Sequence, residues 1–135
     1  MMMESEEEAV LRVVVAKRGK IRAGEFRLRK GEVGFSLFLR TEAPGPEAIL
    51  EAVRAAGKQG ELAIAELPMS VLRDLGLQIV PTPGGTPSPE VNAIHVEARL
   101  GRLLRLWLWF RRIETATYFN ERCAPRLSSS AIVRD

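Results

Sequence analysis

NAIHVEARLGRLLRLWLWFRR, at residues 92–112, includes the only histidine and both tryptophans of the chain. In its first half, the even-numbered residues from 94 to 100 are apolar, and the odd-numbered ones are His95, Glu97 and Arg99. In its second half, the even-numbered residues from 104 to 110 are apolar, and each odd-numbered position from 105 to 111 is an arginine or a tryptophan. Because successive side chains of a strand point to opposite faces, this pattern predicts two strands, each with one buried face.

Two strands this close in sequence can pair only as a hairpin. A two-residue loop would place charged side chains on the same face as the leucines, whereas a three-residue loop at 100–102 keeps the two sets apart. The three-residue loop predicts that Glu97 lies opposite Arg105 and that His95 lies opposite Trp107. We therefore expect a C-terminal β-hairpin.

The predicted hairpin displays one face of ionic and aromatic side chains, namely His95, Glu97, Arg99, Arg105, Trp107, Trp109 and Arg111. Tryptophans can stack on nucleobases while arginines contact phosphates, so this face predicts a partner that is RNA, DNA or an acidic protein. The phosphate contacts would come from the three arginines and the stacking from the two tryptophans. Two structural alternatives are that other parts of the chain cover the tryptophans, or that the face is buried in a homo-oligomer.

A catalytic interpretation rests on His95 and Glu97. Two residues apart on a strand, they share a face, and a nearby carboxylate can orient a histidine that acts as a general acid or base. Their His-x-Glu spacing occurs in zinc deaminases, but the Pro-Cys-x-x-Cys segment of those enzymes is missing here. We predict no metal site and no cofactor, since the chain also lacks a Walker loop and a dinucleotide fingerprint.

The remaining sequence predicts an α+β fold with a mixed or antiparallel sheet of five to six strands and two helices. A proline at position 46 and a glycine at position 57 bound the first helix, and Pro68 and Gly76 bound the second. Strands are expected at 9–16, 34–40, 60–67 and 77–80, and the proline-rich segment 81–92 is expected to be a loop.

At 135 residues, with 46% hydrophobic and 27% charged residues, the chain is expected to form one domain. We predict a disordered acidic N-terminus at residues 1–8, the domain at 9–122 and a flexible tail at 123–135. A single cysteine, Cys123, fits a reducing compartment. No stretch has the length and hydropathy of a membrane span or a signal peptide, so we expect a soluble, cytoplasmic protein without a membrane partner.

The net charge of +3 conceals two basic regions, Arg12–Lys30 and Arg99–Arg126. Such regions attract phosphates or acidic surfaces. The alternative is a solvated surface with no partner.

Four short stretches resemble a loosely defined group of small bacterial proteins of unassigned function. They are GFSLFL, PEAILEAV, ELPMSVLRDLGLQIVPTP and NAIHVEA, within residues 27–98. This resemblance implies a single domain.

The order of Arg29, Ser36 and Glu97 is similar to that of the arginine, strand serine and later glutamate that hold NAD and its ribose in ADP-ribosyltransferase toxins. This resemblance implies a toxin-like group transferase, in which Arg29 anchors a phosphate and Glu97 orients His95 or binds the ribose. His95 would be its general acid or base.

Overall fold

A computed structural model describes residues 8–18, 20, 21 and 23–134. The predicted α+β class is confirmed, with a seven-stranded antiparallel sheet and six α-helices in the described residues. The strands are β1 (Ala9–Lys17), β2 (Lys20–Ile21), β3 (Gly34–Leu39), β4 (Leu62–Pro68), β5 (Leu77–Pro81), β6 (His95–Leu100) and β7 (Ile132–Arg134). The helices are α1 (Pro46–Ala55), α2 (Met69–Asp74), α3 (Pro89–Ala93), α4 (Arg102–Phe110), α5 (Thr115–Arg122) and α6 (Ala124–Ser130), and a 3-10 turn spans Ala23–Phe26.

The sheet has the strand order β5-β6-β3-β1-β4-β7, and β2 pairs with the end of β1. β1 pairs with β4 along most of its length, from Ala9 to Val15. In contrast, β1 and β3 share only the pairs Val10 with Leu39 and Leu11 with Phe38. Beyond these residues, β1 and β3 do not pair with each other. This opening between them is called the β1–β3 gap.

Both faces of the sheet are buried, which explains why β1 is an almost continuous apolar run. Val10 and Val14 contribute to the larger core, which includes residues of α2, α4, α5 and α6. Leu11 and Val13 contribute to a second core with residues of α1 and α3. We call these two sides the multi-helix face and the α1 face. A strand covered on both sides has no solvent-facing row that would require polar residues.

The predicted β-hairpin is wrong, because residues 102–110 form helix α4. β6 pairs with β3 on one side and with β5 on the other. Seven of the nine residues of α4 are apolar. With so few polar residues, an apolar residue at every second position follows from composition and does not indicate a strand. Leucine and arginine favour helices, and no β-branched residue is present to favour a strand.

The proline-rich segment is not entirely loop. Helix α3 begins after Ser88, whose side chain accepts a hydrogen bond from the backbone N–H of Val91 at 3.3 Å. This is an ordinary N-cap that a proline at the first helical position reinforces. Together with α4, α5 and α6, this helix accounts for the difference between the two helices expected and the six observed.

Residues 123–134, expected as a flexible tail, include α6 and β7. Cys123 and Leu127 are buried in the larger core, and β7 pairs with β4. Small and polar residues predominate in this segment, and only a few of its side chains are large and apolar, so its sequence contains no clear signal of a buried face. The predicted disordered N-terminus falls, except for the exposed Glu8, outside the described residues. Within the described ranges, no helix is both long enough and apolar enough to cross a bilayer.

Candidate functional site

The first half of the opening segment follows the predicted alternation. β6 directs Val96, Ala98 and Leu100 into the larger core. His95 and Glu97 lie opposite Phe38 and Ser36 of β3 and are half-buried on the α1 face.

The imidazole of His95 is oriented by the chain that precedes α3. Its Nδ1 lies 2.6 Å from the carbonyl oxygen of Thr82. Because a carbonyl oxygen can only accept, Nδ1 carries a hydrogen and donates it, and in the neutral form of the ring Nε2 is then an acceptor. The ring also contacts Phe38 edge-on, with centroids 5.1 Å apart. One nitrogen of His95 is thus fixed, whereas Nε2 has no hydrogen-bond partner among the described residues.

Glu97 is engaged with a different partner. Its Oε1 accepts a hydrogen bond from Nε of Arg99 at 2.8 Å, and both side chains are partly exposed. The predicted pair with Arg105 is not formed, since Nε of Arg105 donates to the carbonyl oxygen of Leu100 at 3.1 Å. His95 and Glu97 therefore share a face, and each is oriented by another group.

Arg29 lies in the exposed loop that leads to β3. The preceding residue, Leu28, is held by the side-chain amide of Asn120 on α5, which accepts from its N–H at 2.7 Å and donates to its carbonyl at 2.9 Å. Since α5 covers the multi-helix face, this anchor lies across the sheet from His95. The structure does not bring Arg29 to the histidine and glutamate with which the toxin resemblance would group it.

The other predicted site residues lie on α4 or directly after it, and the common face with β6 is not formed. About 100° of rotation per residue places Trp107 and Trp109 roughly 160° apart around the helix, whereas a strand would have aligned them. The guanidinium of Arg111 lies over the Trp107 ring, 5.5 Å from its centroid. Trp109 instead contacts Phe110 edge-on at 5.9 Å.

Helix α4 directs most of its apolar side chains into solvent. Of its nine described residues, only Leu108 is fully buried. Leu103 is 83% exposed, Phe110 is 76% exposed, and Leu106 and Trp107 are each at least half exposed. These four positions have the spacing i, i+3, i+4 and i+7, so they form one stripe along the helix. We call them the α4 stripe.

The α4 stripe is bordered by positive charge. The arginines are Arg102, Arg105, Arg111 and Arg112, and no acidic residue occurs between positions 98 and 113. Sequence reasoning missed Leu103, Leu106 and Phe110 as surface residues because it assumed that large apolar side chains face the core. The i, i+3, i+4, i+7 spacing, combined with helix-favouring composition, is the signal that identifies them.

The beginning of α4 has little local stabilisation. Gly101 provides no side-chain cap, and the first turn contains no acidic residue. Arginines at that end oppose the helix dipole, which favours negative charge there. Tertiary contact of this helix rests mainly on Leu108, with partly buried Leu104 beside it.

Cys123 does not offer a nucleophile. Its side chain is 1% exposed, and burial raises the pKa of its thiol to about 11. The thiol is therefore protonated at neutral pH, and a thiolate is the reactive species. Within the described part of the chain, no three His, Cys, Asp or Glu side chains are grouped so that they could hold a metal ion.

Comparison of the chain with models of known protein families, with curated proteins and with solved structures found no match.

Proposed function

We propose that this protein is a binding module that inserts α4 into an apolar groove with an acidic rim on a protein partner. The observation that supports this proposal is the α4 stripe, a row of large apolar side chains exposed on a folded helix and bordered by arginines. A contiguous apolar surface of this kind is typical of an interaction site.

The spacing of the stripe is that of a helix recognised in a groove. Such helices use anchors at i, i+3, i+4 and i+7, which here are Leu103, Leu106, Trp107 and Phe110. Burying one such side chain is worth about 1.5–3 kcal/mol, so the four anchors can offset the entropy lost on association. Tryptophan and arginine are also the residue types most often found at energetic hot spots.

The charge around the stripe favours an acidic protein over a second copy of the chain as the partner. In a two-fold dimer through α4, each stripe would meet itself and the bordering arginines would face one another. An acidic rim removes this repulsion and steers association. The geometry also argues against nucleic acid, because Leu103 and Leu106 occupy the centre of the surface and the two tryptophans lie on opposite sides of the helix.

The first experiment places a benzophenone amino acid at position 110 of the full chain and irradiates cells of the native host. The same amino acid at Glu51, an exposed position on α1, is the positional control. We expect an adduct with an acidic protein from position 110 and none from position 51. An adduct that is sensitive to nuclease, an adduct with a second copy of the chain, recovery only with lipid, or no adduct would each refute the proposal.

The second experiment titrates the purified partner with the wild-type protein and two variants. Leu106→Asp puts a charge into the centre of the stripe and should weaken binding at least thirtyfold, about 2 kcal/mol. Ile132→Asp is the matched control, because Ile132 is 52% exposed on β7, away from α4, and should bind as the wild type does. Affinity should also fall as salt concentration rises, since the rim contacts are ionic. Equal binding by both variants would contradict the proposal.

A further inference from the structure

A separate cleft opens on the α1 face beside the β1–β3 gap. Its volume is about 220 Å³, and it is open to solvent. This is below the roughly 300–1,000 Å³ of sites for drug-sized ligands, so the cleft suits a smaller molecule. Its polar lining residues include Arg12, Ser36, Lys58 and His95, and its apolar ones include Phe38 and Val53.

Arg12 crosses the β1–β3 gap. Its Nε donates to the carbonyl oxygen of Glu25 at 2.8 Å, and its Nη1 donates to the carbonyl oxygen of Ser36 at 2.7 Å. The guanidinium also lies over the Phe35 ring, 4.9 Å from its centroid. It thereby satisfies a strand carbonyl that has no partner across the gap.

The charge of Arg12 is not matched by a bonded carboxylate. Among the described residues it forms no ion pair, and its hydrogen bonds are to neutral carbonyls. Burial lowers the pKa of Arg12, and the nearby carboxylates of Glu25 and Glu32 only partly oppose this effect. A desolvated cation without a bonded anion is costly, and an anionic ligand would reduce that cost.

The rest of the cleft is complementary to a small organic anion. Among the residues that the structure describes, its lining contains a second cation, Lys58, and no acidic residue. In the neutral form of the ring, Nε2 of His95 can accept a hydrogen bond from a ligand hydroxyl or amine. Phe38 and Val53 can contact an apolar body.

We infer that this cleft binds a small organic phosphate or carboxylate, with its anionic group at Arg12 and Lys58 and its apolar part against Phe38. This site shares no residue with α4 and does not depend on the proposed docking of that helix. Phosphate and carboxylate have the same recognition chemistry here, and the choice between them is left to experiment.

The test uses the full chain labelled with ¹⁵N and the probes phenyl phosphate and phenylacetate, with benzyl alcohol as the neutral control. We expect saturable shifts in the amides of Gly84, Gly85 and Thr86, which line the cleft, and in the His95 ring. The tighter of the two anionic probes identifies the preferred acid group. Benzyl alcohol should produce no saturable shift, since it lacks the charge that the site recognises.

Two substitutions test the role of charge. Lys58→Gln should weaken binding roughly fivefold, as expected for one partly exposed charge pair. Lys30→Gln, an exposed lysine that does not line the cleft, is the matched control and should bind unchanged. Neither lysine is part of the core, so both variants should fold.

Three results would overturn the inference. The first is the absence of saturable shifts with either anion up to about 10 mM. The second is equal affinity of the Lys58→Gln and Lys30→Gln variants. The third is a response confined to the indole N–H signals of Trp107 and Trp109, which would place the probe on α4.

Discussion

Leu106 and Leu108 provide a decisive comparison, because they lie on opposite sides of α4 although only one residue separates them. Leu108 is 0% exposed and Leu106 is 56% exposed. Replacing a buried leucine by alanine removes apolar contacts and leaves a cavity, so Leu108→Ala should lower the free energy of unfolding by about 2–5 kcal/mol. With an unfolding entropy of about 2.1 cal/mol/K per residue, a chain of 135 residues loses about 3.5 °C in Tm per kcal/mol. The expected decrease in Tm is thus roughly 7–18 °C.

Leu106→Ala should change the same free energy by less than about 0.5 kcal/mol, because it removes an exposed side chain and alanine is the best helix former. The measurement is urea unfolding followed by far-UV circular dichroism, with midpoint and m-value compared at several protein concentrations. In a hairpin, both leucines would face the core and both variants would lose stability. Similar losses for the two variants, or a larger loss for Leu106→Ala, would refute the helical assignment of this segment.

Two further predictions concern the core. Gly34→Ala should destabilise the protein by at least about 2 kcal/mol in the same urea assay, since its Cβ would lie 2.4 Å from the carbonyl oxygen of Ala98. The control is Gly24→Ala, whose added Cβ would meet no atom within 4 Å. Equal effects of the two substitutions would contradict the close approach at Gly34. Because burial raises the pKa of Cys123 from 9.0 to about 11, the unfolded chain loses the thiol proton first, so stability should decrease as pH rises from about 9 to 11 in the wild type and less so in Cys123→Ala. Rapid labelling of the native thiol by a disulfide reagent near pH 8 would show that it is not buried.

Local chemistry was sufficient to predict several elements of the fold. Pro46 and Glu47 in the first turn and Gly57 after the last turn identified α1, because each residue type has a specific preference at a helix end. The alternation from His95 to Leu100 identified β6 and its two faces, since its inward residues are apolar and its outward ones are polar. In both cases the residue pattern and the burial pattern agree.

The prediction for the second half of the opening segment was wrong because most of its apolar side chains do not face the core. The more apolar face of an element is its buried face only when the opposite face is the one exposed to solvent. In α4 the more apolar face is itself exposed to solvent. The candidate docking surface therefore became visible only when the direction of Leu108 was known. The cleft was equally hidden, because Arg12 and Lys58 are 46 residues apart in sequence and line the same cleft only in the folded chain.

β7 contributes more to the sheet than its three residues suggest. It pairs with Ile64, Ala65 and Glu66 of β4, a strand of mainly apolar residues that would otherwise have unpaired backbone groups along one side. An open edge of this kind recruits strands from other molecules and initiates aggregation. If proteolysis removes β7, we therefore expect the protein to aggregate during storage at high concentration before unfolding of the domain becomes measurable.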